Sequence, residues 1–146
     1  MLEGRPRRVL FLAGHREHDP ASDAPQTGYR QLADLLAQDN AQVGTLNLAA
    51  AGEVPRDCEL LIVAGAQDVL SPRELVALGN YLRQGGRLLV LLRPRAVTGL
   101  EPLLAEWGVS APDSLVLDPE NTEGGLVQLG AFGGHPVSRP LRGSRL

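Results

Sequence analysis

Leu60-Leu61-Ile62-Val63-Ala64-Gly65, followed four residues later by Leu70-Ser71-Pro72-Arg73-Glu74-Leu75, is the stretch that decides the fold. Its first piece is a continuous apolar run of strand length, the pattern of a strand covered on both faces. Its second piece is a helix start. Ser71 can accept a bond from the first turn, Pro72 fits the first helical position because its missing N–H has no partner there, and Glu74 completes a capping box. Leu75, Leu78, Tyr81 and Leu82 then supply an apolar stripe, and Gly85-Gly86 predicts the stop. A buried strand feeding an amphipathic helix is the repeating unit of parallel α/β sheets.

Upstream, Val9-Leu10-Phe11-Leu12 within Arg8–Ala13 repeats the buried-strand pattern and is closed by Gly14. Asp19, Pro20, Asp23 and Pro25 make His15–Gln26 a loop at the end of that strand. Tyr29, Leu32, Leu35 and Leu36 recur at helical spacing, with Thr27 placed to cap the start and Asp39-Asn40 near the stop. Gln42–Leu48 alternates as a further strand. Downstream, Leu88–Leu92 is a third apolar run ended at Pro94, and Leu100, Leu103, Leu104 and Trp107 outline a short helix closed by Gly108. Leu115-Val116-Leu117 and Val127–Phe132 are candidate edge strands, while Gly124, Gly125, Gly133 and Gly134 keep the last third irregular. The β-α alternation implies right-handed crossovers. The expected fold is a three-layer α/β sandwich with a mostly parallel, flavodoxin-like sheet, formed as a single domain over residues 1–146.

Composition narrows the function. The chain has 146 residues, 43% of them apolar and 21% charged, the balance of a folding globular protein. A net charge of −3 and only 3% aromatic residues leave neither the field nor the stacking platforms of a nucleic-acid binder, although all 14 basic residues are arginine. The single cysteine, Cys58, excludes an internal disulfide framework, and its place before an apolar run predicts packing at a strand entrance. No apolar stretch is long enough to span a membrane, and the N-terminus lacks the apolar core of a signal peptide.

In parallel sheets of this kind, ligands bind outside the carboxyl ends of the strands, where strand order reverses. Three loops reach that rim: Gly14-His15-Arg16-Glu17-His18-Asp19, Ala66-Gln67-Asp68 and Arg93-Pro94-Arg95. His15, Glu17, His18 and Asp19 have metal-donor chemistry, but four donors in five positions rarely converge on one ion, so no metal site is expected. The simpler expectation is a solvated loop in which Glu17 or Asp19 bonds local amides. Arg16, Arg93 or Arg95 could hold a carboxylate or phosphate. No Gly-x-Ser-x-Gly or Gly-x-Cys-x-Gly elbow is present, and Cys58 falls at the end of the sheet opposite the expected site. Walker A and Gly-x-Gly-x-x-Gly loops are also missing, so no nucleotide or other cofactor is expected. His135-Pro136 could reach a site from a C-terminal loop.

The order Gly14-His15-x-Glu17, Leu61-Ile62-Val63-Ala64-Gly65-Ala66-Gln67, Leu70-Ser71-Pro72-x-Glu74-Leu75, Tyr81-Leu82-x-x-Gly85-Gly86, Leu103-Leu104-x-x-Trp107-Gly108 and His135-Pro136 resembles a known family over roughly residues 7–140. It is similar to the extracytoplasmic domain of auxiliary proteins of uncharacterised ABC-type transport systems, of the gliding-motility type. Arg16 stands in the Gly-His-x-Glu element where this resemblance leads one to expect a small residue. The resemblance implies a flavodoxin-like or class I glutamine amidotransferase-like fold. It also implies a parent protein anchored by membrane helices outside this fragment, a periplasmic or extracytoplasmic location, and association with a transporter permease or other membrane component. It implies no catalytic activity, in keeping with the strand exit Leu92-Arg93-Pro94-Arg95, which offers no Cys or Ser nucleophile.

The expected function is therefore a noncatalytic module binding a partner protein or small polar ligand through Gly14, His15, Arg16, Glu17, Gln67, Arg93 and His135. Two alternatives stand beside it: an amidotransferase-like hydrolase using His15, Glu17 and His135, and a cytoplasmic small-molecule sensor or adaptor.

Overall fold

A computed structural model describes residues 5–112 and, beyond them, 114, 117–120, 122, 123, 126, 127, 134–136, 138 and 139. The chain divides into two compact units, residues 1–113 and 114–146. In the first, the elements run β1 (Arg7–Ala13), α1 (Arg30–Gln38), β2 (Ala41–Asn47), α2 (Leu48–Ala51), β3 (Cys58–Ala64), α3 (Pro72–Arg83), β4 (Leu88–Leu91) and α4 (Glu101–Glu106). The four strands form one all-parallel sheet in the order β2-β1-β3-β4, a flavodoxin-like topology. β1 pairs with β2 from Arg7↔Ala41 to Ala13↔Asn47 and with β3 through Val9↔Leu60 and Phe11↔Ile62, so its carboxyl end lies where strand order reverses.

Alternation along the strands divides the core between the two faces. Leu10, Leu12, Leu61 and Val63 lie on the face covered by Leu78 and Tyr81 of α3 and by Leu100 and Leu103 at the start of α4. Val9, Phe11, Ile62 and Ala64 face α1, whose Tyr29, Leu32 and Leu36 pack on them. Phe11 and Leu61 are fully buried, and each such side chain stabilises the fold by about 1.5–3 kcal/mol relative to exposure.

Several expectations are corrected. Thr27 does not cap α1: Tyr29 occupies the cap position with no side-chain bond, because the amides of Gly28, Tyr29 and Arg30 are already engaged by carbonyls of the preceding loop. Leu35 and Trp107, assigned to apolar stripes, are exposed; α1 packs on the sheet through Tyr29, Leu32 and Leu36 instead. β2 ends at Asn47, whose Oδ1 accepts the Ala50 amide, and Leu48 opens the short α2. Cys58 is the first residue of β3, not a residue before it, and it is buried. Among the described strands β4 lies at the edge of the sheet, and Leu89 is partly open. The second unit carries a two-residue antiparallel pair, β5 (Thr122–Glu123) and β6 (Leu126–Val127). Leu115, Val116 and residues 128–132 of the expected edge strands lie outside the described residues.

At the amino end of the sheet, Tyr81 is a polar lock. Its hydroxyl donates to the Arg87 carbonyl at 3.0 Å and accepts the Arg87 amide at 3.1 Å, and burial pushes the phenol up to about 12. Its ring lies against Gly86, where a Cβ would come within 2.4 Å of it. Tyr81→Phe, which strips the Arg87 amide of its partner and leaves its carbonyl the Leu61 amide alone, is expected to cost about 1–2 kcal/mol in urea unfolding, with an unchanged slope against denaturant.

Candidate functional site

The loops that follow β1 and β3 knit together before any side chain is considered. The His15 carbonyl accepts the Gln67 amide at 2.8 Å and the Asp68 amide at 3.3 Å, and the His18 amide donates to the Ala64 carbonyl at 2.8 Å. Gly65, with φ +67°, makes the sharp exit from β3, and its bare α-carbon receives the His18 imidazole and the stem of Arg93. A Cβ there would stand 2.6 Å from His18. On its own face, the His18 ring stacks on Tyr29 at 4.5 Å between centroids and 6° between planes.

At the centre lies His15, only 7% exposed. Its Nδ1 is 3.2 Å from Glu17 Oε1 and its Nε2 is 3.3 Å from Glu74 Oε2, while Glu17 Oε2 accepts the His15 amide at 2.7 Å. Both carboxylates are buried, with side chains 3% and 4% exposed. Glu74 is the capping-box residue of α3: its Oε2 also accepts the Ser71 amide at 2.9 Å and the Ser71 hydroxyl at 2.7 Å. Its Oε1 lies 3.3 Å from His15 Nε2 but outside hydrogen-bonding geometry, and has no hydrogen-bond partner. Burial works against the Glu74 charge, but the Ser71 donors and the His15 imidazole outweigh it and hold the carboxyl below the ordinary glutamate value.

Above this cluster sits an exposed strap. Arg16, at φ +57°, makes a two-pronged contact with Asp68, its Nε donating at 2.8 Å, and Gln67 Nε2 donates to the Arg16 carbonyl at 2.9 Å. The pairing raises the Arg16 guanidinium and lowers the Asp68 carboxyl, chiefly through their hydrogen bond. Gly14, at φ +124°, turns the chain out of β1.

Of the residues singled out in the sequence, Gly14, His15, Arg16, Glu17 and Gln67 therefore assemble in one place, and Arg93 borders it through Gly65. Arg93 is exposed; its carbonyl accepts the Ala96 amide at 3.4 Å, and among the described residues its guanidinium has no hydrogen bond or ion pair. His135 belongs to the second unit and is exposed. The expectation of a solvated loop holds for Asp19, whose Oδ1 accepts the Ala21 amide at 2.8 Å, but not for Glu17, which bonds a local amide from a buried position. Sequence reasoning placed Glu74 only as a cap. Its second role facing His15, 59 residues away, has no local signal.

Among the described residues, no group of three or more His, Cys, Asp or Glu side chains is arranged to hold a metal ion. Two open cavities flank the site. One of about 150 Å³ borders Glu17, His18 and Thr45, and one of about 420 Å³ runs beside the start of α1 between Asp23, Tyr29, Arg30 and Leu91. His15 lines neither.

Residues 6–137 match the model of a family described as an ABC-type uncharacterized transport system. No match was found among curated proteins or among solved structures.

Glu74→Ala removes both the helix cap and a buried partner of His15, and is expected to cost about 3 kcal/mol in denaturant unfolding. Because the folded state holds this carboxyl below its ordinary value of 4.5, its contribution is present above that pH and is lost as the pH falls through the folded value. The stability gap between the wild type and Glu74→Gln should therefore narrow on acidification below about pH 4.5.

Proposed function

The chain belongs to the auxiliary family of ABC-type uncharacterized transport systems, and from that premise we propose that it is a noncatalytic, extracytoplasmic module that docks a membrane component of its transporter through the strand-end loops. One observation carries this reading: the crevice where strand order reverses is filled by the protein's own His15, Glu17 and Glu74. A ligand site of the usual kind needs that space open. Among the described residues no helix is long and apolar enough to cross a membrane, so anchoring would fall to other segments of the parent protein.

What the filled crevice leaves outward is suited to a protein surface. Val69 and Val97 are 61% and 70% exposed on neighbouring loops that the Leu70 amide joins to the Thr98 carbonyl at 3.0 Å. Arg93, exposed, and Leu92, 47% exposed, follow β4 on the same rim. Apolar residues beside an arginine are the composition of interface cores. The hydrolase alternative would use His15 as its base, and both ring nitrogens of His15 already face carboxylates.

Purified chain carrying Arg93→Glu and Val97→Glu is expected to bind the detergent-solubilised permease of its transport system at least about tenfold more weakly than wild type, a loss of about 1.4 kcal/mol. Glu53→Gln, on the surface before β3, should leave binding unchanged. Equal binding by wild type and double variant, with folding intact by circular dichroism, would remove the strand-end surface from the interaction. A thermal shift with nucleotides, sugars, amino acids or metals that disappears in the Arg93 variant would instead favour the small polar ligand.

A further inference from the structure

A neutral imidazole donates one hydrogen bond and accepts one, yet both ring nitrogens of His15 face carboxylate oxygens, which can only accept when ionised. Around Glu74 the protons are placed by geometry. The Ser71 amide and hydroxyl both donate to Oε2, and with His15 they hold the carboxyl below its ordinary value, so Glu74 is the carboxylate and the proton of the 3.3 Å contact sits on His15 Nε2. A second proton is then required between His15 Nδ1 and Glu17 Oε1, whichever atom holds it. Without it, a carboxylate and a ring lone pair would oppose each other at 3.2 Å in a site where neither is solvated.

We propose that Glu17–His15–Glu74 is a proton-operated clasp: with the second proton present it docks the loop after β1 onto α3, and loss of that proton as the pH rises releases the Arg16–Glu17 segment. The groups facing His15 come from three elements. Its own loop contributes Glu17, while the Arg16 guanidinium is turned to Asp68 and the His18 ring to Tyr29. The loop after β3 contributes Asp68, whose carboxyl is lowered by Arg16 and, more weakly, by the His15 charge. The third element, α3, contributes Glu74. Arg16 is a hinge suited to release, because its left-handed φ of +57° is uncommon for a non-glycine residue and is accompanied here only by exposed contacts to Asp68 and Gln67. The clasp is a property of the loop itself and stands whether or not this face docks a permease.

The test is nitrogen-resolved NMR of the His15 ring in the full chain from about pH 5 to about pH 9, with amide protection factors of Arg16 and Glu17 read in parallel. In the wild type, loss of the second ring-associated proton and an approximately tenfold fall in loop protection should share one midpoint. Glu17→Gln supplies an amide N–H that can donate to a bare Nδ1 while its carbonyl still accepts the His15 amide, so this variant should keep the loop docked across the whole range. Protection that stays flat through the wild-type His15 titration, or a loop that opens on acidification instead, overturns the proposal. So does a Glu17→Gln protein that opens at the wild-type pH. Should that variant fail to fold, coincidence or separation of the two wild-type midpoints decides alone.

Discussion

The whole carboxyl end of the sheet depends on the requirement that a buried imidazole satisfy both of its nitrogens. His15 meets it by reaching in two directions, to Glu17 in its own loop and to Glu74 at the start of α3, while its carbonyl takes amides from the loop after β3. A single residue thus fixes three chain segments relative to one another. Glu74 is bound to the same requirement, since the carboxylate that caps α3 also faces the ring. Truncating one partner would leave the other buried and unpaired, which costs more than the intact contacts contribute.

What the sequence disclosed and what it concealed follow from the range of the forces involved. The β3 strand and the α3 start were legible because both signals are local: an unbroken apolar run, and a capping box closed within three residues. The parallel order was legible because strand-helix alternation leaves little other topology. The start of α1 was not, since the bonds of Gly28, Tyr29 and Arg30 to the preceding loop displace the cap that Thr27 advertised. Leu35 and Trp107 follow helical spacing, but spacing alone cannot say which part of a stripe meets the sheet, and α1 does so through Tyr29, Leu32 and Leu36. The site divides in the same way. Its loop residues were visible because they are consecutive, whereas Glu74 acquires its second contact only after the chain has crossed the sheet.

The topology offers the place at which flavodoxin-like proteins bind small molecules, and this chain spends it on internal polar contacts. That choice has a structural consequence. With His15, Glu17 and Glu74 packed between the loops, the residues that emerge on the rim beyond the small cavity at Glu17 and Thr45 include the valines at 69 and 97 and the exposed Arg93. A rim of this kind can be read by a protein surface without any change in the fold beneath it.

The strap and the buried cluster are not equivalent in holding that rim. Arg16 and Asp68 are solvent-exposed, and an ion pair in water contributes little because screening and side-chain entropy offset its attraction. The Glu17–His15–Glu74 contacts are dehydrated, so the same charges interact far more strongly there and leave a far larger penalty when mismatched. The outward geometry of the loop is therefore governed from beneath: the strap gives the surface its shape, and the proton inventory of the buried cluster decides whether that shape is held. A rim built only from exposed pairs would be insensitive to a single proton; one seated on a buried histidine between two carboxylates cannot be.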